Sequence, residues 1–312
     1  MRRALLIVNP AARGGRSAEA EALMAFASVG IEPDLRRTTA PGDAARIAAA
    51  EAGEEPVFVL GGDGTVMEVV GALVGRGTAV GILPGGTGNQ LARHFGIPLQ
   101  VGRAVRRLVG AGTTPLDLGR LHDGRYFSLT AGFGLDAAMI AGADPRAKRR
   151  FGVAAYVWSA AKALPSVQSF AVRVEADGQV YEREAALAMI ANVGAVMDGR
   201  FGLGPGVAPD DGWLDVCVLS AAGLRDGLTL AWRMARRDFR ADPRMLFVRA
   251  RQVRLTAPAG VPVQADGELL TAPILDAAVV PGAGHFLAPG GSFAPSANGS
   301  YVPSVPTPTL DR

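Results

Sequence analysis

Cysteine, histidine and aromatic residues are scarce in this chain of 312 residues. A single cysteine, Cys217, excludes an intramolecular disulfide and argues against a cysteine-based zinc site. Its apolar surroundings predict a core position, and a lone thiol agrees with a reducing cytoplasm. His94, His122 and His285 lack the spacing of metal ligands, so we assign them no metal site.

Long apolar runs and a large excess of one charge are also lacking. No uninterrupted apolar stretch approaches the roughly 18 to 20 residues that span a bilayer, so we expect no transmembrane segment. The start Met1-Arg2-Arg3 leads into a short strand rather than a signal peptide. A net charge of only +3 argues against a nucleic-acid binder. These features predict a soluble, cytoplasmic protein.

Glycine is abundant, with 41 residues, and it concentrates where apolar runs end. The run Val57–Leu60 predicts a buried strand that enters the turn Gly61–Thr65. Glycine lets peptide N–H groups approach an anion, and Thr65 is a candidate cap for the next helix. Asp63 suits a phosphate site if a cation intervenes, so the turn predicts a nucleotide with its metal. The alternative is an ordinary tight turn that exposes Asp63.

Two more turns follow predicted strands in the same way. Thr78–Leu83 leads into the glycine-rich turn Pro84–Asn89, and the first strand ends at Asn9. Thr87 and Asn89 offer a hydroxyl and an amide, although Asn89 is alternatively a helix cap. The carboxyl ends of parallel strands share one edge of a sheet, so we expect all three turns on one edge, with the two glycine-rich turns placed to face one ligand.

Strand and helix patterns alternate over residues 1–117, which predicts a doubly wound α/β domain. Short alternating runs then predict a β-rich, sandwich-like domain of antiparallel sheets at residues 118–288. A cleft between two such domains is the usual place for a substrate. Residues 289–312 are rich in Pro, Ser, Gly and Asn, and we expect them to be disordered.

Two groups of charged residues in the second half are candidates for a binding function. Asp210, Asp211 and Asp215 crowd into one loop, which suits a hard cation or is simply solvated. Basic residues at 146–150, and in a helical stretch at 224–240 that also carries Trp232, suit an anionic membrane or form a solvated surface.

Together, the turns and later motifs resemble the diacylglycerol kinase catalytic-domain family, which includes soluble bacterial lipid kinases and sphingosine kinases. The resemblance covers nearly all of residues 1–290. It rests on Asn9-Pro10, Gly61–Thr65, Leu83–Arg93, Gly132–Ala137, Pro209–Val216 and Asp266–Glu268. The glycine–Asp turn alone also resembles NAD kinases and phosphofructokinases, and Asp266-Gly267 alone is an ordinary hairpin turn.

The resemblance implies an ATP- and Mg²⁺-dependent lipid kinase whose α/β domain has an NAD-kinase-like topology. ATP would lie across the three turns. The implied ATP-binding residues are Asn9, Thr38, Gly61, Gly62, Asp63, Gly64, Thr65, Val66, Met67, Glu68, Gly86, Thr87 and Asn89. Thr39 is an alternative to Thr38, and Glu68 is alternatively a surface carboxylate.

The resemblance also implies catalytic and metal-binding residues. Asp266 and Glu268 match the pair associated with the general base, and which of them accepts the proton stays open. Asp63 would act near the phosphates and their metal. Asp215, with backbone carbonyls near Trp213 and Val216, matches an auxiliary magnesium site.

The implied acceptor is a lipid at a membrane surface, such as diacylglycerol or a sphingoid base, which places the protein in the cytoplasm or at the inner membrane face. The identity of the lipid and the formation of a homodimer stay open. Two rival functions are an NAD kinase-like enzyme and a non-catalytic lipid-binding relative. Intact Asp63, Asp266 and Glu268 argue against the second rival.

Overall fold

The computed structural model describes residues 4–12, 15–134, 169–196 and 199–289. The sequence also predicts a helix near 152–164. That stretch, the basic segment 146–150 and the predicted tail beyond residue 289 lie outside the described residues. Among the described helices, none is long and apolar enough to cross a membrane.

Helices and strands alternate regularly in the first part of the chain. The described helices are α1 (Gly15–Ser28), α2 (Asp43–Glu51), α3 (Asp63–Leu73), α4 (Gln90–His94), α5 (Val101–Leu108) and α6 (Leu224–Arg236). The described strands are β1 (Leu5–Val8), β2 (Asp34–Arg37), β3 (Val57–Gly61), β4 (Val80–Pro84), β5 (Gly112–Leu121), β6 (Tyr126–Phe127), β7 (Thr130–Gly134), β8 (Phe170–Ala176), β9 (Gln179–Ala185), β10 (Leu187–Ala191), β11 (Ala195–Val196), β12 (Phe201–Gly202), β13 (Leu214–Leu219), β14 (Met245–Ala250), β15 (Gln252–Thr256), β16 (Val263–Ala265), β17 (Glu268–Leu270) and β18 (Ile274–Ala288).

Strands β1 to β4 form a parallel region in the order β2-β1-β3-β4. Every residue of β3 and β4 is buried, as expected for parallel strands with helices on both faces. Phe58 of β3 packs edge-on against Phe26 of α1, with ring centroids 4.9 Å apart. The predicted α/β class of the N-terminal region is therefore confirmed.

The same sheet continues into the second half of the chain through β18. This strand pairs antiparallel with β5 and β15, and parallel with β4 where Phe286 lies opposite Val80. Neither β5 nor β18 is predicted from the sequence. In β18, Pro281 and Gly282 interrupt the alternation of apolar and polar residues, and the pairing with β5 shifts register at this point. Strand β5 crosses residue 117, and the domain boundary there stays a prediction.

The second half is antiparallel and β-rich, as predicted. A six-stranded sheet runs in the order β14-β13-β10-β7-β16-β17. One face packs against the larger sheet through residues such as Phe133, Ile190 and Val216. Leu230 and Met234 of α6 join the core on which the other face packs, where Cys217 is fully buried as expected.

Candidate active site

The three predicted turns emerge side by side at one edge of the parallel region. Strand β3 lies between β1 and β4, so its turn is flanked by the other two. The N–H of Asn9 donates to the carbonyl of Leu60 at 2.9 Å, and the N–H of Gly85 donates to the carbonyl of Gly61 at 2.8 Å. The structure thus brings together the turns that the sequence places on a common edge.

The first two turns touch through their backbones at Gly62 and Gly86. A Cβ atom at Gly86 would lie 2.7 Å from the Cα of Gly62, so a side chain there would force the turns apart. Glycine at this point keeps main-chain amides of two strands close together. Such an arrangement suits the binding of a phosphate chain.

Asp63 links the same two turns through its carboxylate. Its two oxygens accept hydrogen bonds from the N–H groups of Gln90 and Leu91, each at 3.0 Å, at the start of α4. Burial raises the pKa of Asp63, while these backbone donors act in the opposite direction. Asp63 therefore holds the second turn in place, and only its remaining lone pairs could face phosphate or a metal.

The side chains of Thr65 and Asn89 do not cap helices but form hydrogen bonds with other groups. The Nδ2 of Asn9 donates to the hydroxyl of Thr65 at 3.0 Å, and α3 has Gly62 at its N-cap without a side-chain bond. The capping role expected for Thr65 is therefore wrong, because Thr65 lies inside α3 and its hydroxyl ties that helix to Asn9 at the end of β1. Asn89 occupies the N-cap position of α4, but its amide bonds the backbone of Gly86 within the second turn.

The loop before α2 forms the rim of the candidate site. Hydrogen bonds in this loop distinguish Thr38 from its alternative, Thr39. Both the N–H and the hydroxyl of Thr39 donate to the carboxylate of Asp43, at 2.8 and 2.6 Å. Thr39 is thus committed to its own loop, and this geometry favours Thr38 as a ligand contact. The carboxylate of Glu68 accepts the N–H of Gly42 at 3.2 Å, so it ties α3 to the same rim.

Three further residues that the resemblance implies in ATP binding, Val66, Met67 and Thr87, differ in exposure. Val66 and Met67 are 1% and 7% exposed, which turns their side chains into the core. Any contact they make with a nucleotide has to come from the main chain. Thr87 is half-buried in the second turn, beside Gly86.

Asp266 and Gly267 form a tight hairpin turn between β16 and β17. Both have positive φ, 45° and 87°, as a type I′ turn requires. The Asp266 carboxylate accepts four hydrogen bonds, of 2.7 to 3.0 Å, from the N–H groups of Ser128, Leu129 and Thr130 and from the Ser128 hydroxyl. Burial raises the pKa of Asp266 to about 6 against these donors. This carboxylate is an anchor for the chain before β7.

Glu268, two residues on, is exposed and reaches across to the glycine turn. Its carboxylate oxygen occupies the space that a Cβ atom on Gly64 would take, at the first turn of α3. The late Asp-Gly-Glu motif and the first glycine turn therefore meet, although about two hundred residues separate them along the printed sequence. A basic oxygen thus lies beside the candidate phosphate site.

The acidic loop folds into a partly buried cluster around Arg249. The guanidinium of Arg249 contacts Asp215 at 3.2 Å and Asp211 at 3.0 Å. The Asp215 Oδ2 is buried without a hydrogen-bond partner, and burial raises the pKa of Asp215 to about 6. Asp117 accepts the N–H groups of Gly212 and Gly282, at 2.6 and 2.7 Å.

The cluster offers a hard cation one carboxylate oxygen that has no hydrogen-bond partner. Asp215 Oδ2 is an orphaned, buried oxygen of the kind that such a cation binds, so the donor chemistry fits. Val216 lies between β10 and β14, where ladder bonds occupy main-chain carbonyls, whereas Trp213 precedes the strand. Within the described residues, no three acidic, His or Cys side chains cluster as metal ligands, so backbone oxygens or water would have to complete the shell.

Asn192 is a buried residue that sequence reasoning missed. Its Nδ2 donates to the carbonyls of Asp117 at 2.7 Å and Ser128 at 2.9 Å. It therefore joins the acidic cluster to the segment that Asp266 anchors. An amide at the end of the fully apolar strand β10 is the sequence signal that could have revealed it.

Two family models cover most of the chain. Residues 3–121 match the diacylglycerol kinase catalytic domain. Residues 130–288 match the YegS C-terminal NAD kinase beta sandwich-like domain. The first matched segment contains the α/β region and strand β5, and the second contains most of the β-rich region.

Relatives and solved structures agree with these matches. The chain is 33% identical over 294 residues to a probable lipid kinase YegS-like protein of Pseudomonas aeruginosa, which covers 92% of this chain and 95% of that protein. It is 29% identical over 277 residues to a diacylglycerol kinase of Bacillus subtilis, covering 86% and 90%. A crystal structure of a Bacillus anthracis protein shares the fold with a TM-score of 0.75 at 26% identity, covering 92% of this chain and 95% of that one. The chain belongs to the diacylglycerol kinase family of ATP-dependent lipid kinases.

Proposed function

We propose that this enzyme transfers the γ-phosphoryl group of ATP, with Mg²⁺, to the hydroxyl of a lipid such as diacylglycerol or a sphingoid base. The observation that carries the proposal is the meeting of Glu268 with Gly64. This contact places a carboxylate from the β-rich half beside the glycine turn that suits phosphate binding. An acceptor hydroxyl and a γ-phosphate could both reach this point.

The nucleotide would lie along the edge formed by the three turns. Main-chain N–H groups of the two touching glycine turns, other than those of Gly85 and Gly86, would bind the phosphates, and Thr38 and Glu68 would lie at the rim. Bound Mg²⁺ would neutralise charge on the phosphate oxygens during transfer. Asp63 keeps the second turn at its position, which phosphoryl transfer needs because it depends on alignment.

Glu268 is the residue best placed to act as general base. Its carboxylate would take the proton from the lipid hydroxyl as that oxygen attacks the γ-phosphorus, and ADP would leave with the electron pair of the broken bond. Asp266 cannot easily share this role, since four donors already surround its carboxylate. It would position Glu268 by fixing the hairpin turn.

Such an acceptor resides in a bilayer, so we place the enzyme in the cytoplasm and at the inner membrane face during turnover. Asp215 would hold an auxiliary Mg²⁺ through its unpartnered oxygen, with the main chain near Trp213. That ion would brace the loop that Asn192 connects to the Ser128 segment.

The Glu268→Gln variant tests the assignment of the base. We expect transfer to lipid to fall about 10²- to 10⁴-fold while ATP affinity stays within a few-fold, because loss of a general base affects the rate and not nucleotide binding. The measurement is phosphorylation of a lipid panel with labelled ATP, beside ATP binding by calorimetry. NAD is included as an acceptor. Phosphorylation of NAD without any lipid product, or loss of ATP binding in proportion to activity, would overturn the proposal.

A further inference from the structure

Helix α6 presents an outward stripe of basic and apolar residues. At about 100° per residue, the positions 225, 228, 232 and 236 fall within a narrow arc of the helix surface. Leu228 and Trp232 are 55% and 63% exposed, and the Arg236 guanidinium stacks over the Trp232 ring at 5.3 Å from its centroid. We name the residues Arg225, Leu228, Trp232 and Arg236 the α6 outer face.

The opposite side of α6 holds the helix firmly on the protein. Leu230 and Met234 are 2% and 4% exposed and belong to the core. Arg233 turns inward to Asp242 at 2.5 Å, and Asp226 pairs with Arg244 at 2.8 Å. The α6 outer face is thus the side of the helix that does not pack against the core.

Two basic residues, Arg225 and Arg236, lie on the α6 outer face, while basic residues that follow the helix have partners elsewhere. Arg240 pairs with Asp238 at 2.7 Å, and Arg237 donates to the carbonyl of Gly199 at 3.2 Å. Arg225 and Arg236 form no ion pair with any residue in the described part of the chain. The stripe therefore carries uncompensated positive charge beside exposed apolar side chains.

We infer that the α6 outer face docks the enzyme on an anionic lipid bilayer. Two large apolar side chains are too few for a stable protein interface, which needs about 800 Å² from each partner. They suffice for shallow insertion at a lipid interface, where tryptophan is favoured and arginine contacts anionic headgroups. The inference rests on the proposed function, because a lipid acceptor requires access to a bilayer.

The docking surface is separate from the chemistry. Strand β13 leads into α6 from Leu219, which pairs with Leu187, and Leu187 pairs with Gly134 at the far end of β7. Thr130, at the other end of β7, adjoins the Asp266 turn. Four residue steps separate these ends by about 14 Å. Substitutions on the α6 outer face should therefore leave phosphoryl transfer itself intact.

Binding to vesicles without ATP tests the inference. The full-length chain is sedimented with vesicles of phosphatidylcholine alone, or mixed with an equal amount of phosphatidylglycerol. Each arginine near an anionic surface strengthens binding about fivefold, so the double variant Arg225→Gln/Arg236→Gln should bind mixed vesicles about twenty-five-fold more weakly. Leu228→Ser/Trp232→Ser should weaken binding to a similar degree. Added salt should weaken binding of the wild type.

Control variants remove the same charge, or two exposed apolar side chains, elsewhere on the surface. Arg106→Gln/Arg107→Gln on α5 and Met24→Ser/Val180→Ser, at exposed positions, should bind vesicles as the wild type does. Phosphorylation of a monomeric short-chain lipid should be unchanged in the α6 variants, while phosphorylation of vesicle-borne lipid should fall.

Three results would overturn the inference: a wild type that does not bind mixed vesicles, α6 variants that bind as well as the wild type, or a dimer in solution that only the α6 variants lose. Vesicle binding that depends on the α6 outer face, in a protein that phosphorylates no lipid, would instead refute the proposed function and keep the docking surface.

Discussion

Gly64 is a position where the absence of a side chain matters for the chemistry. The Glu268 carboxylate fills the space that a Cβ atom on Gly64 would take. Gly64 lies within α3 and has no positive φ, so alanine fits its backbone. The oxygen in conflict is the far end of a flexible side chain. A methyl group at residue 64 would therefore push Glu268 aside without disturbing the fold.

Gly64→Ala should accordingly lower lipid phosphorylation about 10²-fold, because a shift of about 1 Å in a reacting group costs this much. Stability should stay equal or rise slightly, since alanine is the better helix former. Kinase assays beside thermal unfolding measure both effects. Gly71→Ala in the same helix, which meets only the Tyr126 side chain at 3.3 Å, is the matched control and should stay active.

A double variant separates this contact from a direct effect on ATP. If Gly64 acts through Glu268, then adding Gly64→Ala to Glu268→Gln should cost little further activity. Independent, additive losses, or an ATP affinity that falls with the activity of Gly64→Ala, would assign Gly64 to the nucleotide site instead.

Asp266 should respond to substitution differently from Glu268. Asparagine has one acceptor oxygen and an NH₂ group, so it cannot satisfy the four donors around residue 266, and Asp266→Asn should lower the free energy of unfolding by about 2 to 5 kcal/mol. Glu268→Gln, at an exposed side chain, should leave that free energy within about 0.5 kcal/mol of the wild type. Urea denaturation measures both values.

The pH dependence of stability gives Asp266 a second signature. Its pKa in the folded protein, about 6, lies above the value of 3.8 for a free carboxyl, so the folded state retains the proton in this window. The contribution of Asp266 is then fully present below about pH 4 and falls by up to about 3 kcal/mol as the pH rises through 6. Asparagine does not titrate, so the stability difference between the wild type and Asp266→Asn should narrow by up to about 3 kcal/mol across this range. A constant difference would contradict the assignment.

Among the structural elements, the short helix α4 depends on Asp63 for its start. The carboxylate supplies acceptors for two N–H groups that no helical carbonyl can reach. Because α4 follows the second glycine turn directly, the position of α4 fixes the position of that turn.

Asp63→Asn should therefore loosen α4 as well as slow the reaction. One of the two N–H groups loses its acceptor, so amide exchange at Gln90 and Leu91 should accelerate, and kinase activity should fall below about a tenth. Exchange measured by NMR or mass spectrometry checks the first effect. Asp177→Asn is a matched control, since that carboxylate also accepts two backbone N–H groups, from Arg251 and Gln252, in a distant hairpin. An equal loss of activity in the control would point to general destabilisation.

For the whole molecule, β18 joins the two halves in one sheet. It pairs with β4 of the parallel region and with β15 of the β-rich region. Phe286 on this strand is fully buried and packs against Phe95, with ring centroids 4.8 Å apart. The larger sheet therefore crosses from one matched family segment to the other without a break.

We expect a single unfolding transition as a result. Loss of ATP binding, which reports the first half, and change in tryptophan fluorescence, which reports the second, should share one midpoint. Phe286→Ala should lower the free energy of unfolding by about 3 to 5 kcal/mol and move both signals together. Two separate midpoints would show that the halves unfold independently.

The fold class and the edge at which the three turns meet could be predicted from the sequence because both depend on local patterns. Apolar runs such as Val57–Leu60 define buried strands, and glycine-rich turns after them define the carboxyl edge. The late motif at Asp266–Glu268 could be related to this edge only through family resemblance. No local rule pairs a hairpin with a turn so far away in the chain.

The sequence alone therefore determined the order of elements, the three turns on one edge and the family to which the chain belongs. Tertiary structure decided which carboxylate of the late motif already accepts hydrogen bonds: Asp266 accepts them from Ser128, which lies 138 residues away, while Glu268 faces Gly64. It also decided that Asp63 faces α4 and that Arg236, not Arg233, is exposed beside Trp232. The physical reason is that a side chain's availability depends on its partners, and distant segments supply those partners only after folding.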